Sequence, residues 1–338
     1  MKQRHSISRK LLDGGVANGW IVGERIGKGN YNTLICVLRI LTIDYAGSFG
    51  SVYKAQHYDR FGVSAGHFAI KVFLEEDRES GEREMEVISK LTQCKNIVRF
   101  EKAIPYTGPD KLFIFSMELM DCDLDRYLRE HGPLSSSDIR AFGGQLFEAL
   151  RCLHERGLVH RDLKPANILI STAGKRLKIG DLGSIARLRR TEKRLVTEQE
   201  YCTLNYRAPE HLFHSKTWTF KVDMWSAGCV VAAMMRPPQL GPLFQGRTEA
   251  DVRDAIIELL GVPSSEEAEL FSNPPNFRST PHPSDGLQSP KLSSLSAIKT
   301  GGRSKDSLIW KSLLKYDPSE RMSAKQVLEE HFTGEYFA

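Results

Sequence analysis

The chain has six cysteines, at positions 36, 94, 122, 152, 202 and 229, but no CxxC pair and no Cys/His spacing of a metal site. A zinc cluster or a disulfide framework is therefore not readable from the sequence, and the six are expected to be reduced, intracellular thiols. No apolar run reaches the roughly 18 residues that a membrane span needs. The longest, residues 34–43, is short and carries Arg39. The opening MKQRHSISRKLLDGG holds no apolar core of signal-peptide length. There is no internal repeat, and the formal charge of +5 comes from scattered Lys and Arg rather than one basic block. Neither nucleic acid nor membrane is expected as a partner, and the expected location is intracellular, nuclear or cytoplasmic. What is present, 41% apolar and 26% charged residues over 338 positions, is enough to bury a large core, in two lobes or two domains.

From residue 20 to about 115 the chain reads as short β-type runs (SVYKA, FAIKVF, LFIFSMEL) broken by one helical stretch over 77–91. Beyond Leu124 the period becomes helical. Ile139, Phe142, Leu146, Leu150 and Leu153 fall near one face, behind a Ser-rich start capped at Ser135 to Asp138. Residues 272–303 are rich in Ser, Pro and Gly and poor in aromatics, so they read as a long solvated loop, with helix resuming near Asp306.

The strongest chemical signal is His160-Arg161-Asp162-Leu163-Lys164-Pro165-Ala166-Asn167, which places a carboxylate, an ammonium and an amide on one tight loop after an apolar helix. This run resembles the catalytic loop of protein kinases. Phosphoryl transfer needs little covalent help, so such a loop must orient a hydroxyl, neutralise developing charge and hold metal. The resemblance implies that Asp162 accepts the hydroxyl proton, Lys164 steadies the γ-phosphate and Asn167 ligates Mg²⁺. Asp181-Leu182-Gly183 follows a strand-like run nineteen positions after Asp162, where a second metal-binding carboxylate is required. The usual phenylalanine is Leu182 here, a change to packing rather than to metal chemistry. In Ala69-Ile70-Lys71 the lysine would meet the α- and β-phosphates and pair with a helix glutamate. Glu84 is that partner, because it precedes the apolar positions Val87, Ile88 and Leu91, whereas Glu82 and Glu86 lie on other faces.

Ala208-Pro209-Glu210 closes an activation segment, and Arg321 in DPSERMS is placed to pair with Glu210. Asp223 should begin a buried helix that anchors the catalytic loop. Through MELMDCDL, YRAPE, VDMWSAGC, PLFQG and LLKYDPSERMSAKQVL the chain resembles the CMGC group, and most of all the cyclin-dependent kinases, from residue 20 to residue 332. A weaker likeness, in KPANIL and the non-Phe position after Asp181, is to the Mediator-associated branch.

The resemblance implies an α+β, bilobal kinase fold with a small β-rich N-lobe (about 20–118), a hinge (118–123) and a larger α-helical C-lobe (124–332), behind an extension over 1–19. It implies ATP and Mg²⁺ as cofactors and protein substrates, with proline after the acceptor Ser or Thr. Ile26, Gly27, Gly29, Gly50 and Val52 would cover the nucleotide. Ala69 and Leu169 would sandwich the adenine, backbone groups of Glu118 and Met120 would bind its edge behind a Met117 gatekeeper, and Asp123 would reach the ribose. Thr203 and Arg207 would shape the substrate pocket, and Lys164 with Thr203 matches Ser/Thr rather than Tyr enzymes. A cyclin is a candidate partner, but RESGERE stands where the cyclin-binding helix motif belongs, with a glycine and Glu82 in place of small-to-apolar contacts. Asn205 occupies a position that is usually Trp. Glu198 sits where an activating phosphothreonine is expected, opposite Arg83, Arg161 and Arg187, with Thr197 as the alternative acceptor one position away.

The glycine loop is interrupted. Gly27-Lys28-Gly29 is separated from Ser48-Phe49-Gly50-Ser51-Val52 by residues 30–47, and removing those eighteen residues joins the pieces as GKGSFGSV, the GxGxxGxV pattern in full. Eighteen residues keep the reading frame, so the segment reads as a retained short intron, with a genuine insertion at the hairpin tip as the alternative. A binding module with a disrupted glycine loop, a pseudokinase, is the corresponding alternative to an enzyme. Sequencing of the transcript is expected to find messages lacking codons 30–47; mature messages that uniformly contain them would establish the insertion.

Overall fold

A computed structural model of the chain describes residues 20–22, 37–46, 51–58, 64–104, 106, 111–188, 194–195, 202–214, 217–271 and 305–332. The chain divides into two compact units, Met1–Met120 and Asp121–Ala338. The expected positions Ile26, Gly27, Gly29, Gly50, Thr197 and Glu198 lie outside the described residues, as do the 1–19 extension and the 272–303 loop.

The first unit is a six-stranded antiparallel sheet in the order β1-β2-β3-β4-β6-β5. Its strands are β1 (Trp20–Val22), β2 (Val37–Ala46), β3 (Ser51–Tyr58), β4 (Ser64–Phe73), β5 (Phe100–Ile104) and β6 (Phe113–Glu118). β2 falls within the interrupting segment and pairs on both sides, Val22 with Val37 and Ala46 with Ser51. Alternation along β4 sorts its side chains. Ile70 and Val72 join Tyr53, Ala55, Ile104, Leu112 and Ile114 in one buried cluster. Ala69, Lys71 and Phe73 lie on the other face, from which Lys71 and Phe73 reach α1 (Arg78–Ser89), whose buried positions are Gly81, Glu84 and Ile88.

The second unit is mainly helical. α2 (Leu124–His131) and α3 (Ser136–Glu155) are followed by two small sheets, β10-β9-β7 and β11-β8, built from β7 (Cys122–Asp123), β8 (Leu158–Val159), β9 (Ile168–Ser171), β10 (Arg176–Ile179) and β11 (Ala186–Arg187). α3 begins where Ser135 accepts the Asp138 N–H, and it buries Ile139, Phe142, Leu146, Leu150 and Leu153, the stripe that its period predicts. β12 (Arg194–Leu195) pairs with β13 (Thr217–Trp218). After α4 (Pro209–Leu212), α5 (Lys221–Met234) is apolar nearly all round and is buried over almost its whole length, with the outer helices α6 (Glu249–Leu260), α7 (Ser265–Ala268), α8 (Lys305–Leu313) and α9 (Ala324–His331) beyond it in sequence. No helix among the described residues is long and apolar enough to cross a membrane. The reading of all six cysteines as reduced does not hold: Cys94 and Cys152 are disulfide-bonded, a pairing state that spacing alone cannot reveal, while Cys122, Cys202 and Cys229 are free.

One buried ion pair staples this unit. Arg321 Nη1 and Nη2 donate to Glu210 Oε1 and Oε2 at 2.8 and 2.7 Å. The same guanidinium donates to the carbonyls of Lys315, Lys221 and Tyr316 and lies 5.2 Å from the Trp225 ring. All its donors are thus engaged, the condition under which a buried pair is tolerated. Burial pushes the Glu210 carboxyl up, but the Arg321 charge and its hydrogen bonds outweigh that and hold it below its ordinary value of 4.5. A depressed carboxylate contributes stability above its unfolded-chain pKa and loses it as pH falls. Arg321→Met should therefore lower unfolding free energy by about 3–5 kcal/mol at neutral pH, since it strands a buried carboxylate. In urea titrations the deficit should shrink below about pH 4, where Glu210 is protonated in the unfolded chain. A pH-independent loss would contradict the assignment.

Candidate active site

In the second unit a buried carboxylate sets the loop backbone. Asp223, on the first turn of α5 and 1% exposed, accepts the N–H groups of His160 and Arg161, each at 2.9 Å, and the Nε2–H of His154 at 2.9 Å. Burial would raise its pKa, yet the His154 hydrogen bond and charge, with the His160 contribution, hold it below the usual carboxylate range. Arg161 sits at φ 70°, in the left-handed region. That conformation costs roughly 1–2 kcal/mol for a side-chain-bearing residue and persists because Asp223 satisfies the N–H groups on both sides of the bend. Arg161 Nε also donates to the Ser184 carbonyl at 2.5 Å.

His160 is completely buried, and its ring joins the two halves of the site. Nε2 donates to the Gly180 carbonyl at 3.0 Å, and Nδ1 accepts the Asp162 N–H at 3.3 Å. Since a carbonyl can only accept and an amide N–H can only donate, this pair of bonds fixes the neutral tautomer protonated on Nε2. Gly180 N–H donates to the Asn167 carbonyl at 2.9 Å, closing the loop on the residue before Asp181.

Asp162 is therefore held from both sides. Its Oδ1 accepts the Thr203 N–H at 2.9 Å and the Thr203 hydroxyl at 2.7 Å. Its Oδ2 accepts Lys164 Nζ at 2.8 Å and Asn167 Nδ2 at 3.1 Å. Lys164 Nζ also donates to Thr203 Oγ1 at 2.7 Å, so the threonine hydroxyl, accepting from the lysine and donating to the aspartate, bridges the two. Asn167 Nδ2 donates to the Asp162 carbonyl at 2.7 Å, which fixes the amide and leaves its Oδ1 buried without a hydrogen-bond partner. A buried amide oxygen with no donor is the ligand a hard cation takes. Asp181 stands at φ 48°, at the turn into a short 3₁₀ segment (Leu182–Ser184), and Leu182 is buried. These residues fit a Mg²⁺ site of amide plus carboxylate.

In the first unit Lys71 Nζ lies 2.7 Å from both Glu84 oxygens, with the two side chains 4% and 3% exposed. Glu82 instead bonds Arg78 and Glu86 bonds Lys90, on the solvent side. Ala69 and Met117 are buried, and the Glu118 N–H is taken by the Arg99 carbonyl at 2.9 Å. Val52 pairs with Lys71 across the sheet. Met120 ends this unit, half-buried. In the second unit Asp123 caps α2 by accepting the Arg126 N–H, and Leu169 is paired with Asp123 in the small sheet. Of the three arginines expected to face Glu198, Arg83 is exposed and bonded to Ser80, Arg161 is bonded to Ser184 and Arg187 is exposed on β11.

Beyond Thr203 the segment is tied to α6. Arg207, 7% exposed, donates to Glu249 at 2.6 Å and to the Cys202 carbonyl at 3.1 Å. Asn205 Nδ2 donates to the Phe244 carbonyl at 2.8 Å and reaches that of Gly246 at 3.4 Å. Burial, then the Asp162 charge, pushes the Cys202 thiol up to about 12, so it stays protonated at neutral pH. Sequence reasoning missed the roles of His154 and His160, and missed Glu249 altogether. The first two carry a signal, histidines at fixed offsets before Asp162; Glu249 lies 42 residues from Arg207 and carries none.

The protein kinase domain family matches residues 46–333, beginning at the last residue of β2. Cell division control protein 2 homolog 1 of Trypanosoma brucei brucei is 33% identical over 307 residues, covering 86% of this chain and 96% of that protein. The probable serine/threonine-protein kinase MRK1 homolog of Encephalitozoon cuniculi is 36% identical over 226 residues, 65% of each chain, so just under two thirds of that relative is spanned. The α+β architecture, the loop built around Asp162 and these matches together place the chain in the protein kinase family, as a serine/threonine kinase of the CMGC group that resembles the cyclin-dependent kinases.

Proposed function

We propose that the chain transfers the γ-phosphoryl group of ATP, with Mg²⁺, to Ser and Thr hydroxyls of proteins, preferring those followed by proline. The observation that carries this reading is the bonding of Asp162: four donors fill its carboxylate, while the Oδ1 of neighbouring Asn167 is left free. The substrate hydroxyl needs one of those four places. Lys164 is the donor that can leave, because an ammonium on a flexible stem is drawn to phosphate charge. Its departure from Oδ2 opens an acceptor position on Asp162 for the hydroxyl.

The hydroxyl oxygen then attacks the γ-phosphorus, the bond to the β–γ bridging oxygen breaks, ADP leaves, and the hydroxyl proton passes to Asp162. Mg²⁺, when held by Asn167 Oδ1 and Asp181, supplies charge neutralisation on the phosphates. Lys71, fixed by Glu84, aligns the α- and β-phosphates. Arg207 consumes the Cys202 carbonyl, leaving the adjoining surface without that acceptor for a substrate N–H. Proline, which has no N–H, loses nothing there. Glu198 would bring one permanent charge to the activation segment where a phosphate brings nearly two, so its pull on arginine would be weaker but constant and the activity low but constitutive.

The test is transfer kinetics on phosphatase-treated protein with a Ser/Thr peptide library. Asp162→Asn should lower kcat by about 10²–10⁴ with ATP affinity retained, as loss of a general base predicts. Peptides with proline at +1 should lead the library. Glu198→Ala should lose activity and Thr197→Ala should change little. Turnover at the wild-type rate in Asp162→Asn would remove the base assignment, an indifferent +1 position the proline preference, and the reverse Glu198/Thr197 pattern the constitutive switch.

A further inference from the structure

The Lys71–Glu84 pair is only as well placed as α1, and the feature that seats α1 is a glycine. Gly81 is buried in the helix interior, where glycine is normally unfavourable. A Cβ added there would lie 2.7 Å from Phe113 Cδ1 and 2.8 Å from both Cδ2 and Cγ of Phe73. Such contacts are far inside van der Waals separation. Neither ring has easy room to retreat. Phe73 is fully buried and stacks on Phe115 at 5.8 Å, with Phe113 at 6.0 Å on another side.

The same Phe73 ring carries the catalytic lysine. Lys71 and Phe73 are two apart on β4 and share a face, and Lys71 Nζ lies 5.4 Å from the Phe73 centroid. Arg78, one turn before Gly81, places its guanidinium 5.5 Å from the Phe113 ring. The contacts form one line: Gly81 admits Phe73, Phe73 supports the Lys71 ammonium, and Lys71 meets Glu84 one turn further along α1.

We infer that Gly81, with Phe73 and Phe113, is a positioning element for the reaction: the absence of a side chain at Gly81 lets α1 settle onto its own sheet at the depth that closes Lys71 on Glu84. The helix is thus seated by aromatic side chains of the same unit. The position of a cyclin-type contact, Glu82, is spent on an ion pair with Arg78. The inference rests on the kinase reading above but is separable from it.

The experiment compares wild type, Gly81→Ala and Gly81→Ala/Phe113→Ala by kcat, melting temperature and hydrogen exchange of the α1 amides. Gly→Ala inside a helix ordinarily stabilises it, so propensity alone predicts slower exchange and no loss of rate. A displaced helix predicts the opposite: kcat reduced on the order of a hundredfold, as for an ångström-scale misplacement of a reacting group, and faster exchange across α1 at a nearly unchanged melting temperature. Removing the Phe113 ring opens space for Phe73, so the double variant should regain most of the lost rate and protection. Wild-type exchange and rate in Gly81→Ala, or a double variant no better than the single, would overturn the inference. If wild type itself transfers no phosphate, the kinase reading falls, while the exchange data still decide the positioning claim.

Discussion

The geometry of the candidate active site in the second unit depends on one buried carboxylate. Asp223 receives three hydrogen bonds, two from consecutive backbone N–H groups and one from His154, and it has negligible contact with water. Hydrogen bonds to a charged acceptor are worth about 1.5–3 kcal/mol each, and an abandoned buried N–H costs a comparable amount. That is enough to hold Arg161 in its left-handed conformation and so to decide where Asp162 points. Every polar contact described around Asp162 follows from a loop that has been bent in advance.

Two other buried polar groups, one charged and one neutral, show how burial can serve different ends. Glu210 is completely compensated: its guanidinium partner is bidentate, and the remaining donors are spent on carbonyls. Such saturation makes a structural staple, because nothing is left to bind. Asn167 is the reverse case, an amide whose nitrogen is fixed by two bonds and whose oxygen is buried with none. A polar atom left in that state is costly unless something else completes it, which is why it points to a cation rather than to stability.

Much of this was legible in the sequence, for identifiable reasons. The helix over 77–91 and the stripe from Ile139 to Leu153 were visible because burial on one face imposes a 3.6-residue period. Glu84 could be separated from Glu82 and Glu86 by the same argument, since only it shares a face with Ile88. The pairing of Arg321 with Glu210, 111 residues apart, was legible only through resemblance, because no local pattern connects them. The tie from Arg207 to Glu249 and the disulfide-bonded state of Cys94 and Cys152 were not legible at all, and His160 was legible as part of the catalytic-loop run but not as a bridge. The Arg207–Glu249 tie depends on tertiary proximity between residues that look ordinary in their own segments. The glycine at 81 was read as a departure from a docking motif; its packing against Phe73 and Phe113 gives it a reason internal to the fold.

The most direct test of the account is transfer of label from γ-labelled ATP to a basic Ser/Thr-Pro peptide, measured for the chain with and without residues 30–47. The account predicts label on the peptide's Ser or Thr, stronger in the form whose glycine loop reads GKGSFGSV. Nucleotide binding by both forms with no label transferred by either would contradict it and leave a binding module with a kinase fold.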